Sequence, residues 1–346
     1  MCAERSRIPH GIINVDGGYS VFQVSYPGID ERRSFLTGRG VDDEKASLAA
    51  NLSTGFRRID LEEARWRDFT EEQISAKKAD IIKNRCGDSL ELVESTFGLE
   101  RASAQPHVRD YLIGLKKLIL SNRKDASIPN GLLFVGVPGN GKSHITKAFA
   151  HDCGMNMLRF KNVRSQWVGE SERNLNTVLD ILPALAPCVV FIDEIDQVIH
   201  SRSVSGSPTG DSGVENRMLA RLLEFMGDTS HRGDIIWIGA TNRPDLLDPA
   251  MPRRLGRVFP FMNPTSEARK GLIKDLVSRL ELPFSDDFNY KSASELMSDY
   301  SCDDVEKVVI RAREIAFGSG KQIVGKCFGD MALAVSGHSN EQQPVR

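Results

Sequence analysis

The chain has 346 residues, enough for two or three domains around a sizeable apolar core. Lys and Arg number 45 against 47 Asp and Glu, a net charge of −2, so no overall attraction to nucleic acid or an anionic membrane is built in. Six cysteines (Cys2, Cys86, Cys153, Cys188, Cys302, Cys327) lack C-x-x-C spacing, which argues against a zinc site or disulfide frame and fits reduced thiols in a cytoplasmic protein.

Residues 1–20 lack the basic start and long apolar centre of a signal peptide. The run from Ile12 to Tyr26 alternates apolar and polar around Asp16-Gly17-Gly18, which predicts a hairpin. Polar, glycine-containing sequence continues to about Thr54. Thr70-Glu71-Glu72-Gln73 reads as a capping box opening a helix through Arg85, with Ile74, Ile81 and Ile82 on its apolar side. Asp88 is expected to cap a second, short helix reaching Val93. No catalytic constellation occurs in residues 1–100, which are expected to form a short α+β N-terminal region for recognition or bracing. A helix over Tyr111–Leu120, inside a linker of residues 101–127, leads onward.

Leu132 to Ser143 carries the densest chemistry. Gly136, Gly141, Lys142 and Ser143 fit G-x-x-x-x-G-K-[ST], with an apolar strand before and a helix from Ser143 to His151 after. Glycines let backbone N–H groups approach phosphate oxygens, and the helix N-terminus adds partial positive charge. Pro138, Gly139, Asn140, Gly141, Lys142, Ser143 and His144 are therefore candidate nucleotide-binding residues, with Lys142 on the β- and γ-phosphates and the Ser143 hydroxyl on Mg²⁺.

Next come a short strand (Met155 to Lys161) and a helix (Ser171 to Ile181), with Trp167-Val168-Gly169 between them. A large aromatic face on a glycine-hinged loop is suited to gripping side chains without sequence demands. Cys188 to Ile192 is an apolar, β-branched run ending in Asp193-Glu194 and reads as a buried parallel strand. Ligands of open α/β sheets bind at strand C-termini. Asp193 is thus expected to hold Mg²⁺ through water, and Glu194 to polarise the water attacking the γ-phosphate. Residues 201–213 form a Ser/Gly-rich insert, followed by a helix with Met218, Leu219, Leu222, Leu223 and Met226 at core spacing. Ile235 to Ala240 is a third buried strand, ending in Thr241-Asn242. None of these apolar runs approaches the ~18 residues of a membrane span, and no membrane partner is expected.

These motifs, with Arg243-Pro-Asp-Leu-Leu-Asp-Pro-Ala-Met-Pro-Arg-Arg-Leu-Gly-Arg257 after them, resemble the AAA family of ATPases over roughly residues 105 to 335. The acidic strand, Ala240-Thr241-Asn242 and Arg254-Leu-Gly-Arg257 in this order are the specific part of the match. The resemblance implies an α/β P-loop core with a parallel five-stranded sheet over residues 128–262 and a helical lid over 263–335. A disordered tail is expected at 336–346. It implies ATP and Mg²⁺ as cofactors, with Asn242 as the sensor and Arg257 as an arginine finger acting across a subunit boundary in a homo-oligomeric ring, a hexamer. Pro260 stands where a second finger is usual, with Arg253 and Arg254 nearby. Cys302 and Asp303 replace the family's Gly-Ala beside the base, no arginine stands at the sensor-2 position, and His107 to Leu112 lacks the adenine loop's glycines.

Trp167-Val168-Gly169 resembles pore loop 1 of protein-remodelling rings, including the W-V-G form of katanin and spastin relatives. Other motifs are similar to poorly characterised AAA ATPases of cyanobacteria, plastids and other bacteria. The expected activity is ATP hydrolysis driving the unfolding or disassembly of a protein substrate, with or without an adaptor. Two alternatives stay open: a nucleic-acid motor, for which Lys161 and Arg164 leave room, and a nucleotide-switched scaffold.

Overall fold

The computed structural model describes residues 26–63, 66, 70–122, 124–161, 168–198, 212–281 and 288–319. The chain divides into two compact units, one running to Ile74 and one beginning at Ser75. The hairpin expected from Ile12, Trp167 and most of the Ser/Gly-rich insert lie outside the described residues, as do residues 320–346.

The first unit contains α1 (Ile29–Gly38), α2 (Asp43–Leu52) and α3 (Arg58–Glu63). Leu36, Ala46, Ala49 and Ala50 are fully buried, small side chains on α2 leaving room for α1. A cation is buried with them: Arg32 donates from Nε to the Ala50 carbonyl at 2.9 Å and from Nη1 to the Pro27 carbonyl at 2.5 Å. Burial lowers its pKa, and the guanidinium is kept by having carbonyls to bind. The next helix, α4 (Glu71–Cys86), opens as the sequence predicts. Gln73 N–H donates to Thr70 Oγ1 at 3.3 Å, and Thr70 N–H donates to Gln73 Oε1 at 3.2 Å, the two halves of a capping box.

The short helix expected up to Val93 is not formed. A single 3₁₀ turn at Gly87–Ser89 leads into a strand, β1 (Leu90–Val93). Its partner is β3 (Asn156–Phe160), paired antiparallel with Leu90 opposite Phe160. An unpaired sheet edge offers N–H and C=O groups to any short extended segment, and four residues give no period by which to recognise it.

The other strands are β2 (Gly131–Gly136), β4 (Cys188–Ile192), β5 (Ile235–Thr241) and β6 (Gly256–Phe261). The sheet order is β1-β3-β4-β5-β2-β6, five parallel strands with β1 added as the antiparallel edge. Every residue of β4 and β5 is buried, because helices cover both faces. On one face Phe134, Val189, Phe191, Ile236 and Ile238 pack with α5 (Pro106–Ser121) and α6 (Lys142–Asp152). α5 contributes Val108, Leu112, Leu115 and Ile119, an apolar row at helical spacing. Further helices are α7 (Val168–Leu185), α8 (Ile195–Val198), α9 (Ser212–Gly227) and α10 (Ala250–Leu255).

Three helices follow the sheet: α11 (Ser266–Arg279), α12 (Tyr290–Leu296) and α13 (Cys302–Ser319). They share a separate core of Ile273, Leu276, Met297, Val305, Val308, Val309 and Ala312. This cluster repeats the first unit. Arg269 donates from Nε to the Ser294 carbonyl at 2.9 Å and from Nη1 to the Pro264 carbonyl, the same clasp that Arg32 makes with Ala50 and Pro27. Gly55 (φ +84°) and Asp299 (φ +64°) both turn the chain left-handed after the second helix. The third helix is then capped alike: Arg57 N–H donates to Asp60 Oδ2 at 2.7 Å, and Ser301 N–H to Asp304 Oδ2 at 3.2 Å.

Candidate functional site

β2 delivers the chain into a loop whose direction is set by two residues in the left-handed region, Gly139 (φ +77°) and Gly141 (φ +81°). A side chain at either position is disfavoured by the backbone itself. α6 starts at once, its first bond running from Ile145 N–H to the Gly141 carbonyl at 2.9 Å. The first turn of α6 thus forms one wall of a cavity of ≈ 380 Å³, within the usual size of a small-ligand site.

The cavity is lined by Pro138, Gly139, Gly141, Lys142, Ser143, His144, Lys147, Asp193, Glu194, Thr241, Asn242 and Asp303. Nine of the expected positions meet here from three sequence segments. Lys142 Nζ donates to the carbonyls of Gly136 and Val137, each at 2.8 Å, folding the side chain over its own loop. Burial lowers the pKa of this ammonium, while Asp193 and Asp303 act in the opposite direction. Asp193 and Glu194 follow the last residue of β4. Glu194 has φ +48°, a left-handed backbone for a non-glycine residue, of the kind that costs of order 1–3 kcal/mol. Asp193 Oδ1 accepts the Glu194 N–H at 3.1 Å, and Gln197 Nε2 donates to Glu194 Oε2 at 2.6 Å. Oε1 therefore lies outside that bond.

A buried pair ties the segment after β4 to the end of β5. Thr241 Oγ1 donates to Asp196 Oδ1 at 2.5 Å and accepts the Arg243 N–H at 2.9 Å; Asp196 and Thr241 are nearly inaccessible. This brings Asn242 to the same cavity as Glu194. Sequence reading alone passed over Asp196 and Thr241, although both sit inside the motifs it used. His144 stacks on Phe97 with ring centroids 4.5 Å apart. Burial, against an opposing backbone hydrogen bond to Arg101 and with Arg279 adding to it, keeps the His144 pKa below its usual value.

Four expected residues lie elsewhere. Asn140 is fully buried beneath the loop; its side chain bonds Asn263 and the Cys302 N–H. Arg257 sits at the start of β6, opposite Leu132 at the start of β2. It is thus about four residues, or roughly 13 Å at strand spacing, from the end of β2 where the loop begins. Its guanidinium lies 5.3 Å from the Tyr111 ring centroid. Val168 and Gly169, expected in a loop, instead occupy the first turn of α7. Glu170 and Glu172 close behind favour a helix start there.

Residues 132–263 match the family model for the ATPase family associated with various cellular activities (AAA). The chain is 35% identical over 192 residues, 54% of its length, to the cell division cycle protein 48 homolog of Archaeoglobus fulgidus, covering 25% of that protein. It is 34% identical over 221 residues, 61% of its length, to protein SAV of Sulfolobus acidocaldarius, covering 28% of it. The chain spans only about a quarter of the length of these curated relatives. Among the described residues no helix is long and apolar enough to cross a membrane. Loop, acidic strand end, polar strand end and sequence match agree on one stretch: residues 132–263 are homologous to the AAA ATPase domain.

Proposed function

We propose that the chain binds and hydrolyses ATP with Mg²⁺, works as a homo-oligomeric ring of six, and uses the cycle to remodel a protein partner. The observation that carries this reading is the single cavity shared by the glycine loop, the α6 N-terminus, two carboxylates and Asn242. Backbone N–H groups of residues 139–143 and Lys142 bind the phosphates. The Ser143 hydroxyl and Asp193 carboxylate are hard oxygen donors on one cavity and fit Mg²⁺, an ion that keeps water and phosphate as its other ligands. When bound, the ion neutralises charge on the phosphate oxygens. Glu194 takes the proton of the attacking water through Oε1, and the Asn242 amide orients that water against the γ-phosphate. Pro138 and His144 flank the loop.

Arg257 lies at the wrong end of the parallel strands for its own loop, which supports a role on a neighbouring copy. An arginine delivered in that way is worth about 10³–10⁵ in rate in well-studied phosphoryl-transfer systems. Trp167, Val168 and Gly169 carry the grip on the protein partner in this reading. The cytoplasmic setting is supported by Cys86, Cys153, Cys188 and Cys302, all buried and none in a disulfide.

The test is ATP turnover and nucleotide binding by the purified chain. Lys142→Ala is expected to lose nucleotide binding. Glu194→Gln should bind ATP but hydrolyse it at least ~10²-fold more slowly, the usual scale for a lost base. Near wild-type turnover in Glu194→Gln would remove that residue from the mechanism.

A further inference from the structure

Two of the three residues at the tip of the phosphate loop are glycines in left-handed backbone, so the loop has little of its own to fix its shape. The third, Asn140, supplies the only side chain there, and that side chain points away from the cavity into a relay. The relay has one direction throughout. The Cys302 N–H donates to Asn140 Oδ1 at 3.3 Å; Asn140 Nδ2 donates to Asn263 Oδ1 at 2.9 Å; Asn263 Nδ2 donates to the Asp299 carbonyl at 2.6 Å. Both ends are backbone groups of one tight turn, an N–H that cannot accept and a carbonyl that cannot donate. They fix the orientation of both amides between them.

A fourth bond runs beside the relay, from the Asp303 N–H to the Gly139 carbonyl at 3.0 Å. In a trans peptide the carbonyl and the following N–H point to opposite sides. Holding the Gly139 carbonyl toward Asp303 therefore turns the Asn140 N–H away from it. Neither Asn140 nor Asn263 lines the cavity, yet together they clasp the 299–302 turn to the loop that does.

We propose that Asn140 and Asn263 are positioning residues: they use the start of α13 to preorganise the phosphate loop, and so set nucleotide affinity without touching the nucleotide. This rests on the nucleotide reading above. A loop already held in its binding shape has less conformational freedom to lose when the ligand arrives. Removing the relay returns that cost to each binding event.

The probe is MgADP, titrated into the full chain by calorimetry, with amide hydrogen exchange followed over residues 299–305 in the bound state. Asn140→Ala and Asn263→Ala are each expected to weaken MgADP binding roughly tenfold, the scale of one lost buried hydrogen bond. The double variant should be little worse than either single one, because the residues act through one relay. Exchange at 299–305 should rise in all three. Asn263 is exposed, so its variant leaves the core intact if Asn140→Ala lowers stability. Asn263→Asp keeps an acceptor for Asn140 but sets a carboxylate oxygen against the Asp299 carbonyl, and should bind MgADP no more tightly than Asn263→Ala. Wild-type affinity in Asn263→Ala, or fully multiplicative effects in the double variant, would overturn the proposal. Failure of the nucleotide reading looks different: the wild-type chain would then bind MgADP no better than Lys142→Ala.

Discussion

The helices α1–α3 and α11–α13 are built on one scaffold and put to different ends. Each holds its first helix to its second through a buried arginine that binds two carbonyls, one belonging to a proline five residues earlier. Each turns left-handed before its third helix and caps that helix from an aspartate at its third position. They part at the start of the third helix. Cys302 and Asp303 bond to the phosphate loop, whereas their counterparts are Arg58 and Ile59, and Ile59 is 53% exposed. Shape is fixed by the clasp and the cap; what the cluster does is fixed by two residues at one helix start.

The clasp gives the largest expected effect. Arg32→Met and Arg269→Met each keep an apolar stem but take the guanidinium donor away from two buried carbonyls, at a cost of about 2–4 kcal/mol. Chemical denaturation followed by a probe in each cluster should find similar losses in both. Arg269→Met should also weaken nucleotide binding, because its cluster bonds to the phosphate loop through Cys302 and Asp303. If Arg32→Met costs nothing while Arg269→Met costs several kcal/mol, the two clusters are not energetic equivalents.

The cap comes second. Asp60→Ala and Asp304→Ala each remove the acceptor that satisfies a free N–H at a helix start, a change worth about 1 kcal/mol. Asp60 is also held by the Arg57 side chain, through Nε at 3.1 Å and Nη2 at 3.2 Å, and Asp304 by the Ser301 hydroxyl at 2.6 Å, so the two losses should be similar. A clearly larger melting-temperature shift in one variant would mean that its second side-chain contact, and not the cap alone, carries the stability.

Much of the phosphate site is legible in the sequence because its parts are local. Gly139, Gly141, Lys142 and Ser143 are contiguous, and Asp193, Glu194 and Asn242 each end an apolar run that announces a strand. What escapes is what depends on partners far along the chain. The Asp196–Thr241 bond spans 45 residues, and the Asn140–Asn263 bond spans 123. Asn140 reads as a phosphate contact from its place in the motif, and only the neighbouring β6 end and α13 start reveal where its side chain goes. β1 escapes because an edge strand of four residues is dictated by the edge it joins. The repeated cluster escapes because its spacing changes partway: Pro27 and Pro264, like Arg32 and Arg269, stand 237 residues apart, whereas Gly55 and Asp299, like Asp60 and Asp304, stand 244 apart.

The smallest effect tests the point where the clusters part. Asp303 lines the nucleotide cavity, and a Cβ placed on Gly139 would lie 3.1 Å from its carboxylate oxygen, so this charge rests directly against the phosphate loop. A carboxylate near bound phosphates is repelled by them, but it also faces Lys142, whose ammonium it favours. The repulsion acts on two or more negative charges and the attraction on one, so the net effect opposes binding. Asp303→Asn, which keeps the size and the backbone N–H bond to Gly139, should tighten MgADP binding by roughly threefold at low salt, and by less at high salt as screening grows. Ile59→Asp, the reciprocal change in the first cluster, should leave affinity unaltered. Weaker binding in Asp303→Asn would mean that the carboxylate acts chiefly by holding Lys142 in place, and the start of α13 would then support the ammonium instead of restraining the phosphates.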